Sequence, residues 1–202
     1  NGMNTSTLNI NDGLIEGSTG IYNYGTDSYI NTINIKGGTI KATNIGIDNF
    51  VSKINMTGGY IESGSNGISG DQMTIDITGG TILHKSGSAI AFSSESKIVL
   101  GGNFKVSEES IGNGIYGNYC RDRGSITLKD NVKLFATTNG IVLDDPVSLN
   151  IKDNVIITGP TGINFPDGGI VTIGEKDGIV NKEYPKINAT KTIVKIVQSV
   201  SD

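Results

Sequence analysis

Three stretches of this chain are near-copies of one another: Ile33-Asn-Ile-Lys-Gly-Gly-Thr-Ile40, Ile54-Asn-Met-Thr-Gly-Gly-Tyr-Ile61 and Ile75-Asp-Ile-Thr-Gly-Gly-Thr-Ile82. About seven residues after each comes Gly46-Ile47, Gly67-Ile68 or Ala89-Ile90. Weaker copies begin at Leu8, Ile98, Ile126, Leu149 and Ile170, which makes eight with start-to-start spacings of 25, 21, 21, 23, 28, 23 and 21 residues. A repeat this short cannot bury its own apolar face. It must stack on its neighbours, and such periods are the mark of a solenoid.

Within a copy the apolar residues alternate, as at Ile33 and Ile35, then break, then run briefly through Thr39 to Ala42, then reach Gly46-Ile47 and a variable loop. No segment has the length or period of a helix, so each copy reads as three short strands joined by tight bends. Composition agrees. Isoleucine outnumbers leucine 31 to 8, and glycine supplies 29 of 202 residues; β-branched side chains suit pleated backbone, and Gly is poor in helices. At the second residue of the first bend stand Gly13, Gly38, Gly59, Gly80, Gly102, Asn131 and Asn154, the two residue types that best tolerate a left-handed backbone. We therefore expect an all-β parallel β-solenoid of about eight coils of ~21 residues, three short strands per coil. Its inward ladders should be Ile35, Met56, Ile77, Leu100, Leu128, Ile151 and Ile21, Ile47, Ile68, Ile90, Ile115, Ile141, Ile163. Residues 1–179 form the solenoid, and 180–202, where the rhythm breaks, form a C-terminal cap strand or a link to a following module.

Charged residues are 18% of the chain and the net charge is -4, which gives no footprint for nucleic acid. No apolar run approaches the ~20 residues that cross a bilayer, so membrane insertion is not expected. One cysteine, Cys120, excludes an internal disulfide, and one histidine, His84, excludes a multi-histidine metal site.

The repeated Ile-Asn-Ile-x-Gly-Gly-x-Ile and Gly-Ile signature, over residues 8 to about 179, resembles the right-handed, single-stranded parallel β-helix proteins of the pectate-lyase-like kind. It is most similar to the adhesive domains of that kind in Gram-positive bacterial cell-surface proteins. The resemblance implies a right-handed coil and an extracellular or cell-surface location, with any export signal outside this chain and further modules beside it. The same coil carries lyases, hydrolases and adhesins, so function has to be sought in what departs from the repeat.

For lyases the resemblance implies acidic residues holding Ca2+ with a basic residue nearby. The only arginines, Arg121 and Arg123, lie in the longest loop, Gly117-Asn-Tyr-Cys-Arg-Asp-Arg-Gly124, outside any lyase-like motif. For polygalacturonase-like hydrolases it implies an aspartate pair with Gly-His-Gly and Arg-Ile-Lys elements. Asp144-Asp145 supplies the pair, flanked by Asp122 and Asp167 in neighbouring coils, and the other elements are missing. We assign no catalytic residue. Asp71, Asp122, Asp144, Asp145 and Asp167 all follow the Gly-Ile position by three to seven residues and should line one edge of the rod. Hard oxygen ligands so placed make Asp122, Asp144, Asp145 and Asp167 candidates for Ca2+, although no cofactor is required.

Asp12, Asp130 and Asp153 form a second stack at the first residue of the bend, a turn position, and Asn66, Asn113 and Asn139 could hydrogen-bond from coil to coil. Sugar rings stack on aromatic faces. Tyr116, Tyr119, Arg121 and Arg123 are accordingly the candidate ligand-binding patch, while Tyr22, four coils away from Tyr116, belongs to another site. The expected function is a non-enzymatic adhesin or rigid stalk that binds a polysaccharide or host glycan along one face. The alternative is a polysaccharide-degrading enzyme, lyase before hydrolase.

Overall fold

A computed structural model describes residues 5–118, 124–165, 170–175, 186–188 and 191–194. The chain is a parallel β-solenoid with three eight-stranded sheets and three strands per coil. Asn31–Ile35, Thr39–Ala42 and Ile47–Phe50 exemplify one coil, contributing in turn to sheets 1, 2 and 3. Every pairing between these strands is parallel and joins equivalent residues of successive coils. Following one position of sheet 1 from Thr7 through Thr32, Lys53, Thr74, Lys97, Ser125 and Ser148 to Ile170 takes seven steps over 163 residues, so the mean repeat is about 23 residues. Seven strand spacings of about 4.8 Å make a rod about 34 Å long.

Both inward ladders are in register. Ile35, Met56, Ile77, Leu100, Leu128 and Ile151 align on sheet 1, and Ile47, Ile68, Ile90, Ile115, Ile141 and Ile163 on sheet 3, each 0 to 2% exposed. The small residue before the sheet 3 isoleucine follows from how closely the coils approach. A Cβ at Gly46 would run into the carbonyl oxygen of Gly67 and into Ile61 Cγ2.

Outside sheet 1 the repeat carries an amide ladder: Asn34 Nδ2 donates to Asn9 Oδ1 and Asn55 Nδ2 to Asn34 Oδ1, both at 2.8 Å. Residues 186–188 and 191–194, inside the segment assigned to the cap or link, pair in parallel with Ile156–Thr158 of sheet 2 and Thr161–Phe165 of sheet 3.

Two details of register differ from the expectation. In the eighth copy Val171, not Ile170, is the partner of Leu149. Ile170 pairs with the outward Ser148 and is 70% exposed, because side chains in a strand alternate faces and one step of register turns it out.

The first bend also changes along the rod. Up to the fourth coil it has three residues and turns through a left-handed glycine, such as Gly80 at φ +94°. From the fifth coil it has four, and the left-handed residue is Gly102, then Asp130 at φ +58° and Asp153 at φ +52°, not Asn131 or Asn154. The extra residue lets Phe104, Val132 and Val155 turn fully into the core. Asp130 and Asp153 therefore occupy one structural position, and Asp12, in the shorter bend, does not share it. The carboxylate of Asp130 accepts the Gly102 N–H at 2.7 Å, and that of Asp153 accepts the Asp130 N–H at 3.1 Å. Here the acidic stack is a backbone device. The displaced asparagines form their own ladder, Asn131 to Asn103 and Asn154 to Asn131, at 3.3 and 3.1 Å.

Candidate functional site

Sheet 3 carries the most varied outer surface. Its strands alternate, so the residue after each inward isoleucine points out, and stacking gathers Tyr22, Asp48, Ser69, Ala91, Tyr116 and Val142 into one column. Two residues further on, Tyr24, Phe50, Asp71, Ser93 and Asn118 form a second. In the first column Tyr22 and Tyr116 flank smaller side chains, and in the second the aromatics Tyr24 and Phe50 give way to Asp71, Ser93 and Asn118. Ser69 and Ala91 thus leave a groove of about 560 Å³ between Phe50 on one side and Tyr116 on the other.

One wall is built from the turn before the strand and the strand's first residue, by Ser65, Asn66, Gly87, Ser88 and Asn113. It is held by hydrogen bonds between coils: Ser88 N donates to Asn66 Oδ1 at 2.9 Å, Asn113 Nδ2 to Ser88 Oγ at 3.5 Å and Asn139 Nδ2 to Asn113 Oδ1 at 2.9 Å. The three asparagines before the Gly-Ile pair thus link coil to coil, Asn66 through Ser88. On the opposite side Ser93 Oγ donates to Asp71 Oδ1 at 3.0 Å. Beneath, Phe92 fills the space that Gly117 leaves on the inward side, where a Cβ would strike the ring.

Each aromatic end is anchored. Tyr116 donates its hydroxyl to Asp144 Oδ2 at 2.8 Å, a hydrogen bond that reaches into the next coil. Phe50 lies between Tyr22 and Tyr24, with ring centroids 6.2 Å from each and tilted planes. Beside it Asp48 is half-buried, and burial raises its carboxyl above the usual carboxylate range.

The turn leaving sheet 3 is strained in three successive coils, where Val51, Gln72 and Ser94 have φ of 45°, 49° and 52° directly after Phe50, Asp71 and Ser93. A branched residue such as Val51 adopts this conformation only when its surroundings impose it, and such outliers concentrate at binding surfaces. The repeat hid this corner, because none of these three residues is a glycine.

Of the candidate residues read from sequence, the structure brings together Tyr116 and Asp144, and Asp145 follows next in the chain. Tyr119, Arg121, Asp122, Arg123 and Asp167 lie outside the described residues, as does Cys120. Asp71 belongs to the third coil and Asp144 to the sixth, so three strand spacings of about 4.8 Å separate them along the axis. Among the described residues no three His, Cys, Asp or Glu side chains converge as a metal cage would require. Tyr22 and Tyr116 stand four coils apart, as expected, but Phe50 sits one coil nearer and joins the Tyr22 cluster to the groove.

A second depression, about 750 Å³, lies outside sheet 2 against residues 107–109. There Lys105 and Lys133 are paired in register, and Glu108, Glu109, Phe135 and Ile156 also line it. It mixes both signs of charge with apolar surface and lacks the aromatic ends of the sheet 3 groove.

His84, the only histidine, is fully buried in sheet 2, where its backbone N–H donates to the Ser110 hydroxyl at 3.3 Å. Its Nδ1 lies 2.9 Å from the Ser86 carbonyl oxygen, so Nδ1 carries the proton, and Nε2 is left as a buried acceptor with no hydrogen-bond partner among the described residues. Burial pushes the ring's pKa down, against the smaller opposing pull of the Ser86 and Ile111 carbonyls.

Comparison of the chain with protein-family models, with curated proteins and with solved structures finds no match.

Proposed function

We propose that this chain is a non-enzymatic solenoid domain of a bacterial cell-surface or secreted protein, of the pectate-lyase-like adhesive kind, which binds carbohydrate along sheet 3. The observation that supports this reading is the groove between Phe50 and Tyr116. It combines a half-buried aromatic ring at each end with hydroxyl and amide side chains along its length, the mixture by which sugar rings are stacked and their hydroxyls oriented. Tyr116 is held by Asp144, so its ring is positioned before any ligand arrives, which lowers the ordering cost of binding. A solenoid suits the role, since backbone hydrogen bonds between coils keep its faces rigid along the rod.

No cofactor is required by this reading, and Asp144 with Asp145 are the described acids we propose for any Ca2+ contribution. The test is a glycan array run with and without Ca2+, beside an assay for unsaturated product from acidic polysaccharides. Glycan binding without product supports the proposal, and a Ca2+-dependent signal would add the cation to it. Product formation would replace it with a lyase. Binding to no glycan would leave a spacer.

A further inference from the structure

Resting on that reading, we infer that the sheet 3 groove takes an uncharged glycan chain, of neutral hexose or N-acetylhexosamine units, laid from the Phe50 end to the Tyr116 end.

Charge comes first. None of the described groove-lining residues, Ser65, Asn66, Ser69, Ser88, Asn113 and Asn118 among them, is ionisable except the Tyr116 phenol. Among the described residues, three carboxyls stand beside them: Asp48 pairs in register with Ser69, Asp71 with Ser93, and Asp144 accepts the Tyr116 hydroxyl. A polyuronate or sulfated chain entering here would lose water without gaining a counter-charge from these residues, and would meet three acidic side chains beside them.

Unused hydrogen-bonding capacity points to hydroxyl-rich ligands. Asn66 spends its side-chain oxygen on Ser88 N, while its amide nitrogen, the Ser65 hydroxyl and the Ser69 hydroxyl make no hydrogen bond within the protein. These groups donate and accept, as sugar hydroxyls and acetamido groups do.

Length follows from register. Phe50 is in the second coil and Tyr116 in the fifth, three strand spacings or about 14 Å apart along the rod, the span of a short oligosaccharide and more than one sugar. Two aromatic ends with a small, polar middle fit a chain that stacks on a ring at each end and hydrogen-bonds between them.

The experiment uses the whole chain in direct binding titrations. Its probes are neutral and N-acetylated oligosaccharides of increasing length and uronic-acid oligosaccharides of matched length. The proposal expects neutral binding that strengthens from mono- to trisaccharide, tighter than any uronate. It also expects at least a tenfold loss, about the effect of one lost ring contact, in Ala91→Tyr and in Tyr116→Ala. Ala91 points outward from its strand, so Ala91→Tyr fills the groove without entering the core, and Ser69→Tyr provides an independent filling variant if melting shows that the first has not folded. Preference for uronates would overturn the ligand class while leaving carbohydrate binding in place. Neutral binding untouched by both filling variants would overturn the site. Binding to neither class overturns this inference and the proposed function together.

Discussion

Ile90→Ala tests the physical basis of the rod directly. Ile90 is 0% exposed, stacked between Ile68 and Ile115 in sheet 3, so a coil lies on either side of it. Truncation removes three carbon groups, at about 0.8 kcal/mol each, or about 2.4 kcal/mol of transfer free energy. Because the backbone is hydrogen-bonded to both neighbouring coils, the site can collapse little, and a residual void of about 60 Å³ at about 24 cal/mol per Å³ adds about 1.5 kcal/mol. The expected cost is therefore about 4 kcal/mol. Ile21→Ala makes the same chemical change in the first coil, where the ladder continues on one side only and the residue is already 9% exposed, and we expect about half that cost. Urea unfolding followed by far-ultraviolet circular dichroism measures both. A loss below about 1 kcal/mol for Ile90→Ala, or equal losses for the two variants, would refute the argument that stacking on both faces stabilises the inward ladder.

Other outcomes follow from polar groups in the core and bends. His84 is buried neutral with its pKa lowered, so the unfolded chain takes up a proton first as pH falls below about 6.5, and stability drops from there toward the lowered folded value. Wild type should thus lose stability between pH 7.5 and 5.5, and His84→Gln should lose less. A raised Asp48 pKa works in the opposite sense and is common to both proteins. Equal pH dependence in the two would show that His84 is not the group responsible. At the bend, Asp130→Ala removes the acceptor of the Gly102 N–H and leaves a Cβ-bearing residue at φ +58° with no local hydrogen bond. We expect a cost of about 2 to 3 kcal/mol, against under about 1 kcal/mol for Asp130→Asn, which keeps an acceptor and tolerates the left-handed region. Similar losses in chemical denaturation would mean that the stack is incidental.

The repeat made the inward ladders readable because burial imposes period 2 and stacking imposes identical positions. Ile35, Ile47 and their partners could be aligned without coordinates. The alignment failed where the chain changed length between ladders. Asn131 and Asn154 match the glycines by position in a Gly-Gly or Asp-Asn pair, but the inserted residue that buries Val132 and Val155 moves the left-handed turn to Asp130 and Asp153. At the candidate site, Tyr116 and Asp144 were separately visible as an outward aromatic and a loop acid. Their hydrogen bond was not, because it depends on a 28-residue spacing produced by a long loop. The part played by Phe50 was hidden for the same reason: an aromatic just after Gly46-Ile47 is legible, but its neighbours in the stack are not. It becomes one end of a groove only because Ser69 and Ala91 follow it in the stack.

By itself, then, the amino-acid sequence determined the all-β class, the three-stranded coil and the identity of most core residues. These depend on local bend chemistry and on a burial period that each copy states again. Only the tertiary structure decided which outward residues become neighbours. Contacts along the rod join residues 21 to 30 positions apart, and each insertion resets that offset, so a surface groove is a property of the stacking register rather than of any segment.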